Sequence, residues 1–190
     1  QFNLKQNRMK NYLYYTDNFL KQKKYLVFQM ITNWGKLKKN MKKISEHKIE
    51  GYFEYVVPPL EGFWWQKGTD GVDYGDKDAF EWLSVIRLPD FITKADFDWA
   101  VRVAGEKKKT DCSRAEFLTI EEGLCVQIMH HGAFDSEPDT IKIMDDYLRE
   151  NGYENDFSGL RRHHEIYMSD ARRVAPEKWK TVIRHPVRKL

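Results

Sequence analysis

The chain has 190 residues, 41% hydrophobic and 32% charged, which is enough for one domain with a single core and ordinary for a globular fold. No run of about 18 apolar residues is present, which excludes a membrane-spanning helix, and no signal-peptide pattern can be read. The net charge of +3 is unevenly spread: residues 1–48 carry twelve Lys or Arg against Asp17 and Glu46, whereas the remainder carries 20 basic and 27 acidic residues, a body that argues against nucleic-acid binding and favours cationic ligands.

Residues 1–48 are rich in Asn, Lys, Gln and Tyr without a clean period. They read as a divergent basic segment set apart from a domain over 49–190, a solvated leader rather than a phosphate-binding arm. Tyr25 to Lys39 has some helical character, and no first strand is legible. From Gly51 the pattern sharpens. Tyr52 to Val57 reads as a strand stopped by Pro58 and Pro59. Phe63, Trp64 and Trp65 follow, then a Gly/Asp-rich loop over 68–75. Phe80 to Leu88 alternates as a strand, with Phe80, Trp82, Ser84 and Ile86 on one face.

Thr93 and Asp96 form a reciprocal capping pattern, and Phe97, Ala100, Val101 and Ala104 recur at helical spacing up to a stop at Gly105. Ala115 to Ile120 and Leu124 to His130 read as a hairpin turning on Glu121-Glu122-Gly123, its acids solvated. Ser136 and Pro138 open a second helix with an Ile141, Met144, Tyr147 and Leu148 stripe, ended by Gly152. His163 to Met168 reads as the last strand, and 171–190 as a tail. The order implies α+β, an antiparallel sheet with helices on one face. Cys112 and Cys125 make no metal-type cluster and read as reduced thiols of a cytoplasmic protein.

Five strings keep a familiar order: Glu54-Tyr-Val-Val-Pro-Pro-Leu-Glu-Gly-Phe-Trp-Trp65, Val85-Ile-Arg-Leu-Pro-Asp-Phe91, Glu121-Glu-Gly-Leu-Cys-Val-Gln-Ile-Met-His-His-Gly132, His163-His-Glu-Ile-Tyr-Met-Ser-Asp170 and Val182-Ile-Arg-His-Pro186. Together they resemble the stand-alone GyrI-like proteins of bacteria. The resemblance implies two βαββ halves related by a pseudo-twofold axis, the first half incomplete here, with a ligand cavity between them. The same fold serves as the effector domain of multidrug-sensing transcription activators, and some stand-alone members are similar to hydrolases that open cyclopropane rings in genotoxic natural products. Where family members often carry Tyr after Gly-X in the strand-to-helix loop, this chain has Phe134.

Strand alternation puts His163, Glu165 and Tyr167 on one face. Glu165 and Tyr167 match the family's Glu-X-Tyr, which makes Glu165 the expected base or cation-binding carboxylate and Tyr167 the expected hydrogen-bond donor to a carbonyl gaining charge. Trp65 and Trp82 are candidate walls for aromatic or cationic ligands, with Trp64 facing away. Met129, His131 and Phe134 are candidate lining, beside His163. No cofactor motif is present, neither a phosphate loop nor a nucleophile elbow. No metal centre is expected, because neighbouring strand histidines face opposite ways and His163 with Glu165 would need a distant third ligand. The expected partner is therefore an aromatic, cationic or electrophilic small molecule. Three readings stand open: a cyclopropanoid hydrolase, a non-enzymatic binder that sequesters drugs, and a regulator that contacts a macromolecule such as DNA gyrase.

Overall fold

A computed structural model describes residues 23–27, 48–108, 112, 114–159 and 161–190. In chain order these form β1 (Lys23–Val27), β2 (Leu60–Trp65), β3 (Glu81–Arg87), α1 (Lys94–Lys108), β4 (Glu116–Ile120), β5 (Cys125–His131), α2 (Glu137–Glu150), β6 (Tyr153–Asn155), β7 (His163–Tyr167) and β8 (Lys180–Lys189). All the strand pairings are antiparallel, and the sheet runs β4-β1-β3-β2-β7-β8-β5, with β6 added beside β8. Leaving out the edge strand β4, the order reads β1-β3-β2 on one side of the β2–β7 seam and β5-β8-β7 on the other. That is the expected pseudo-twofold, its axis crossing the sheet at the seam between the antiparallel β2 and β7.

Several local expectations are corrected. A first strand does exist, at Lys23–Val27, inside the segment in which none was legible; Tyr25 to Val27 are extended rather than helical, and 28–39 lies outside the described residues. Tyr52 to Val57 is not a strand. Its aromatic spacing serves packing instead, since the rings of Tyr52, Phe53 and Tyr55 each stand edge-on to Phe91 at 5.7, 5.0 and 5.9 Å. The ladder starts only past Pro58 and Pro59, which have no N–H to give it. The capping box of α1 forms as read: the Thr93 N–H donates to Asp96 Oδ2 at 2.9 Å and the Asp96 N–H to Thr93 Oγ1 at 3.2 Å. The helix nevertheless runs through Gly105 to Lys108.

The hairpin over 115–130 does not form. β4 pairs with β1 and β5 with β8, at opposite ends of the strand path. A flat path of that width would span about 29 Å at about 4.8 Å per strand, whereas residues 121–124 reach at most about 19 Å at 3.8 Å per Cα step. The sheet must therefore curl until its ends approach. The tail is also a strand: β8 pairs with β5, β6 and β7. Its Lys, Arg and Pro186 hid it, because proline and charge are the usual marks of an edge.

The two helices of the described residues lie on one face. The α2 side chains Met144 and Leu148 close over Val126, Ile128, Ile183 and Val187, and Phe97 of α1 packs with Leu88, Ile92 and Phe117. The other face carries Phe63, Val85 and Ile120.

Candidate functional site

The β2–β7 register sets Gly62 opposite Glu165 and Trp64 opposite His163, so these four share the helix-bearing face. β3 then adds Trp82, directly opposite Trp64 and stacked on it at 5.7 Å. β8 adds His185, whose ring meets that of His163. Gly62 is essential to this geometry. A Cβ there would lie 2.7 Å from both Trp64 Nε1 and the Tyr167 hydroxyl, which are themselves joined by a 2.9 Å hydrogen bond from the indole N–H.

Glu165 is 7% exposed and accepts from His163 Nε2 at 2.9 Å. The His163 Nδ1 faces His185 Nε2 at 2.7 Å, and His185 Nδ1 is buried with no partner. Burial, helped by His163, holds the His185 pKa well below the usual imidazole range. The chain Glu165–His163–His185 thus runs inward from the site into the protein.

A fourth participant comes from α2. Gly132, at φ 133, turns the chain out of β5 in a conformation that favours glycine. His130 ties the turn down, bonding Ala133 O through Nε2 at 3.0 Å and Thr140 Oγ1 through Nδ1 at 2.8 Å. Ser136, expected to cap α2, instead donates to Ala133 O. The first residue of α2, Glu137, is then wholly buried beside Glu165. The Tyr74 hydroxyl donates to its Oε2 at 2.7 Å, while Oε1 has no partner. Burial, then the Glu165 charge, pushes the Glu137 carboxyl up to about 8. Burial likewise raises the Tyr74 and Tyr167 phenols above their usual range, with Glu137 next for Tyr74 and Glu165 next for Tyr167.

Of the residues singled out in the sequence, Glu165, Tyr167, His163 and Phe134 meet here, Phe134 with its ring 5.8 Å from that of Tyr167. Trp82 stands at the margin, 49% exposed. Trp65, Met129 and His131 do not join them: Trp65 lies opposite Glu81, and Met129 and His131 lie opposite Val182 and Lys180, all on the other face. Trp65 gives its N–H to Glu81 and its ring to the Arg162 guanidinium. Trp64, expected to face away, is the tryptophan on the Glu165 side. Sequence reasoning also missed Glu137, Tyr74 and His185. For His185 the signal was the alternation of β8, had the tail been read as a strand. Glu137 looked like an ordinary acid of a first helical turn.

The other face holds a second polar cluster. His164 is fully buried, with Nδ1 2.7 Å from Glu122 Oε1 and Nε2 2.8 Å from Glu61 Oε2, and its ring is stacked on Phe63. Arg184 reaches Glu122 Oε2 at 2.9 Å. Burial opposes charge on His164, but Glu122 and Glu61 outweigh it and hold its pKa above the usual value. Glu122 is thus a buried ion-pair partner and not a solvated turn residue. A groove of about 410 Å³, lined by Phe53, Tyr55, Val56, Arg87 and Phe91 among others, includes none of the side chains around Glu165.

Comparison with known proteins agrees with this architecture. The chain matches the GyrI-like small-molecule-binding domain over residues 18–188. It is 36% identical to an uncharacterized conserved protein from Listeria innocua, with 97% of this chain and 98% of that one covered and a TM-score of 0.78. It is 34% identical to a protein from the same organism described as a hydrolase, with 98% of each chain covered and a TM-score of 0.76. EcmrR, in a complex with DNA, shares the fold at 15% identity and a TM-score of 0.54, over the whole of this chain and 64% of that one. Among curated proteins none matches. The strand order about the β2–β7 seam, the helices on one face and the match over nearly the whole length agree, and the chain belongs to the family of GyrI-like small-molecule-binding domains.

Proposed function

We propose that the chain binds aromatic small molecules, cationic or electrophilic, against the rings of Trp64, Trp82, Tyr167 and Phe134, with Glu165 as the polar centre. The observation that carries this reading is a buried carboxylate which, among the described residues, has no Lys or Arg partner and lies in a ring-rich surround. A ligand cation would supply the missing charge, and each indole face would add about 0.5–2 kcal/mol of cation–π attraction. Trp82 offers a half-open ring for the first encounter. Titration with ethidium, followed by tryptophan fluorescence, tests the reading. Saturable quenching in the wild type and at least tenfold weaker binding in Glu165→Gln are expected; equal binding by both would refute it.

A second reading, hydrolysis, is favoured by the Listeria innocua proteins described as hydrolases. Glu165 would take a proton from water as that water attacks a cyclopropane carbon conjugated to a carbonyl. The C–C bond would open and its electron pair would pass to the carbonyl oxygen. The Trp64 N–H occupies a lone pair of Tyr167, and the phenol proton, directed to Glu165 in this structure, would turn to donate to that oxygen. Loss of the ultraviolet band of a spirocyclopropane enone, abolished in Glu165→Gln, is the expected result. No spectral change with the wild type would leave the chain a binder.

A further inference from the structure

We propose that Glu137, His163 and Glu165 form a binding site for a divalent transition-metal cation of the Zn²⁺ class. The inference rests on Glu165 being the centre of the site, and it adds a third ligand that no reading of the sequence supplied. His163 and Glu165 stand two residues apart on one strand face, so both aim the same way. Glu137 arrives from the start of α2. One donor atom from each of the three lies within 4.8 Å of the other two, and all three residues are buried.

The charges call for a partner. Among the described residues neither Glu137 nor Glu165 is ion-paired with Lys or Arg. Two carboxylates in a dry site demand either shared protons or a cation. Glu137 Oε1 is buried and unpartnered, while its Oε2 is held by Tyr74, so one oxygen is fixed and the other is free to ligate.

The outer contacts suit a metal as well. The far nitrogen of His163 is held by His185 at 2.7 Å, which fixes the ring plane; on metal binding Nε2 would present its lone pair and Nδ1–H would donate to His185. Ligand atoms about 2.0–2.1 Å from a tetrahedral Zn²⁺ sit about 3.3 Å apart, so the 2.9 Å His163–Glu165 contact need open by only about half an ångström. An imidazole in the set selects Zn²⁺ or Co²⁺ over Mg²⁺ and Ca²⁺. Three protein ligands leave a fourth position for water or a ligand oxygen. The positive end of α2 opposes a cation, but its partial charge is small beside two carboxylates.

The test uses the full chain, stripped with a chelator and dialysed against Zn²⁺, with bound metal counted by plasma mass spectrometry. A parallel Co²⁺ titration is followed by visible absorbance. One equivalent of Zn²⁺ at micromolar affinity or tighter is expected, with the intense bands of four- or five-coordinate Co²⁺. Glu137→Gln and His163→Gln should each weaken binding by about 100-fold or more. Substoichiometric Zn²⁺, weak octahedral-type Co²⁺ bands, or variants that bind like the wild type would overturn the proposal. The Co²⁺ spectrum of the wild type decides the matter even if a variant fails to fold. Ethidium titration of the chelated chain separates the two readings: dye binding without metal binding sinks this site alone, and metal binding without dye binding sinks the aromatic pocket alone.

Discussion

Gly62→Ala is the sharpest probe of how the site is built. The added Cβ would lie 2.7 Å from the Tyr167 hydroxyl and 2.7 Å from Trp64 Nε1, about 0.7–1 Å inside ordinary contact. Both side chains must retreat, and they are joined to each other at 2.9 Å. Losing that hydrogen bond costs about 0.5–1.5 kcal/mol, and forcing one carbon into a packed site costs about 1–3 kcal/mol. We expect a net loss of about 1–3 kcal/mol, since relief of one effect relieves part of the other. For a chain of this size each kcal/mol lowers Tm by about 2–4 °C. Urea unfolding followed by tryptophan emission measures the loss, and the native spectrum reports the moved indole. The decisive comparison is a double-mutant cycle with Tyr167→Phe. Removing the phenol oxygen removes one of the two clashes, so Gly62→Ala should cost at least about 0.5 kcal/mol less in that background. Strict additivity, or an unchanged midpoint for the single variant, would refute the close approach.

Other expectations are simpler to state. Leu148→Ala, which empties part of the core between α2 and β5, should cost about 2–5 kcal/mol by denaturant unfolding. Thr93→Ala should cost about 1 kcal/mol through loss of the α1 cap, seen in the same assay. His164→Gln leaves Glu61 and Glu122 without their shared cation and should destabilise by about 3–5 kcal/mol. Because the His164 pKa is raised on folding, its contribution is complete below the ordinary value of 6.5 and is lost as the pH climbs through the raised one. Wild-type Tm should therefore decline over that interval, and the decline should flatten in His164→Gln; a profile unchanged by the substitution would refute the assignment.

The sequence announced those features that depend on local periodicity. Alternation separated His163, Glu165 and Tyr167 from His164 and Ile166 without error, because period two needs no partner strand. The capping box of α1 and the stripe of α2 were legible for the same reason. What was illegible depends on who pairs with whom. Nothing local says that Trp64 rather than Trp65 faces Glu165, because that follows from the β2–β7 register. Nothing in Glu121-Glu122-Gly123 distinguishes a hairpin from a span across a curled sheet; the difference lies in His164 and Arg184, 42 and 62 residues away. Glu137 was missed because an acid in a first helical turn already has a sufficient local reason to be there.

The short span from Ile120 to Cys125 also limits how anything enters. It fastens the outer strand of one half to the outer strand of the other, and Glu122 clamps its middle to His164 and Arg184. Were the halves to swing apart at the seam, this tether would be stretched and its clamp torn from a buried imidazole. The tether therefore opposes any motion that parts the two outer strands. Among the described residues, two parts that border the site lie outside the tether: the loop over 68–76, whose Tyr74 reaches Glu137, and the segment over 169–179, which carries Trp179 to Phe134. Displacement of either of these two edges would leave the tether and its clamp unstretched.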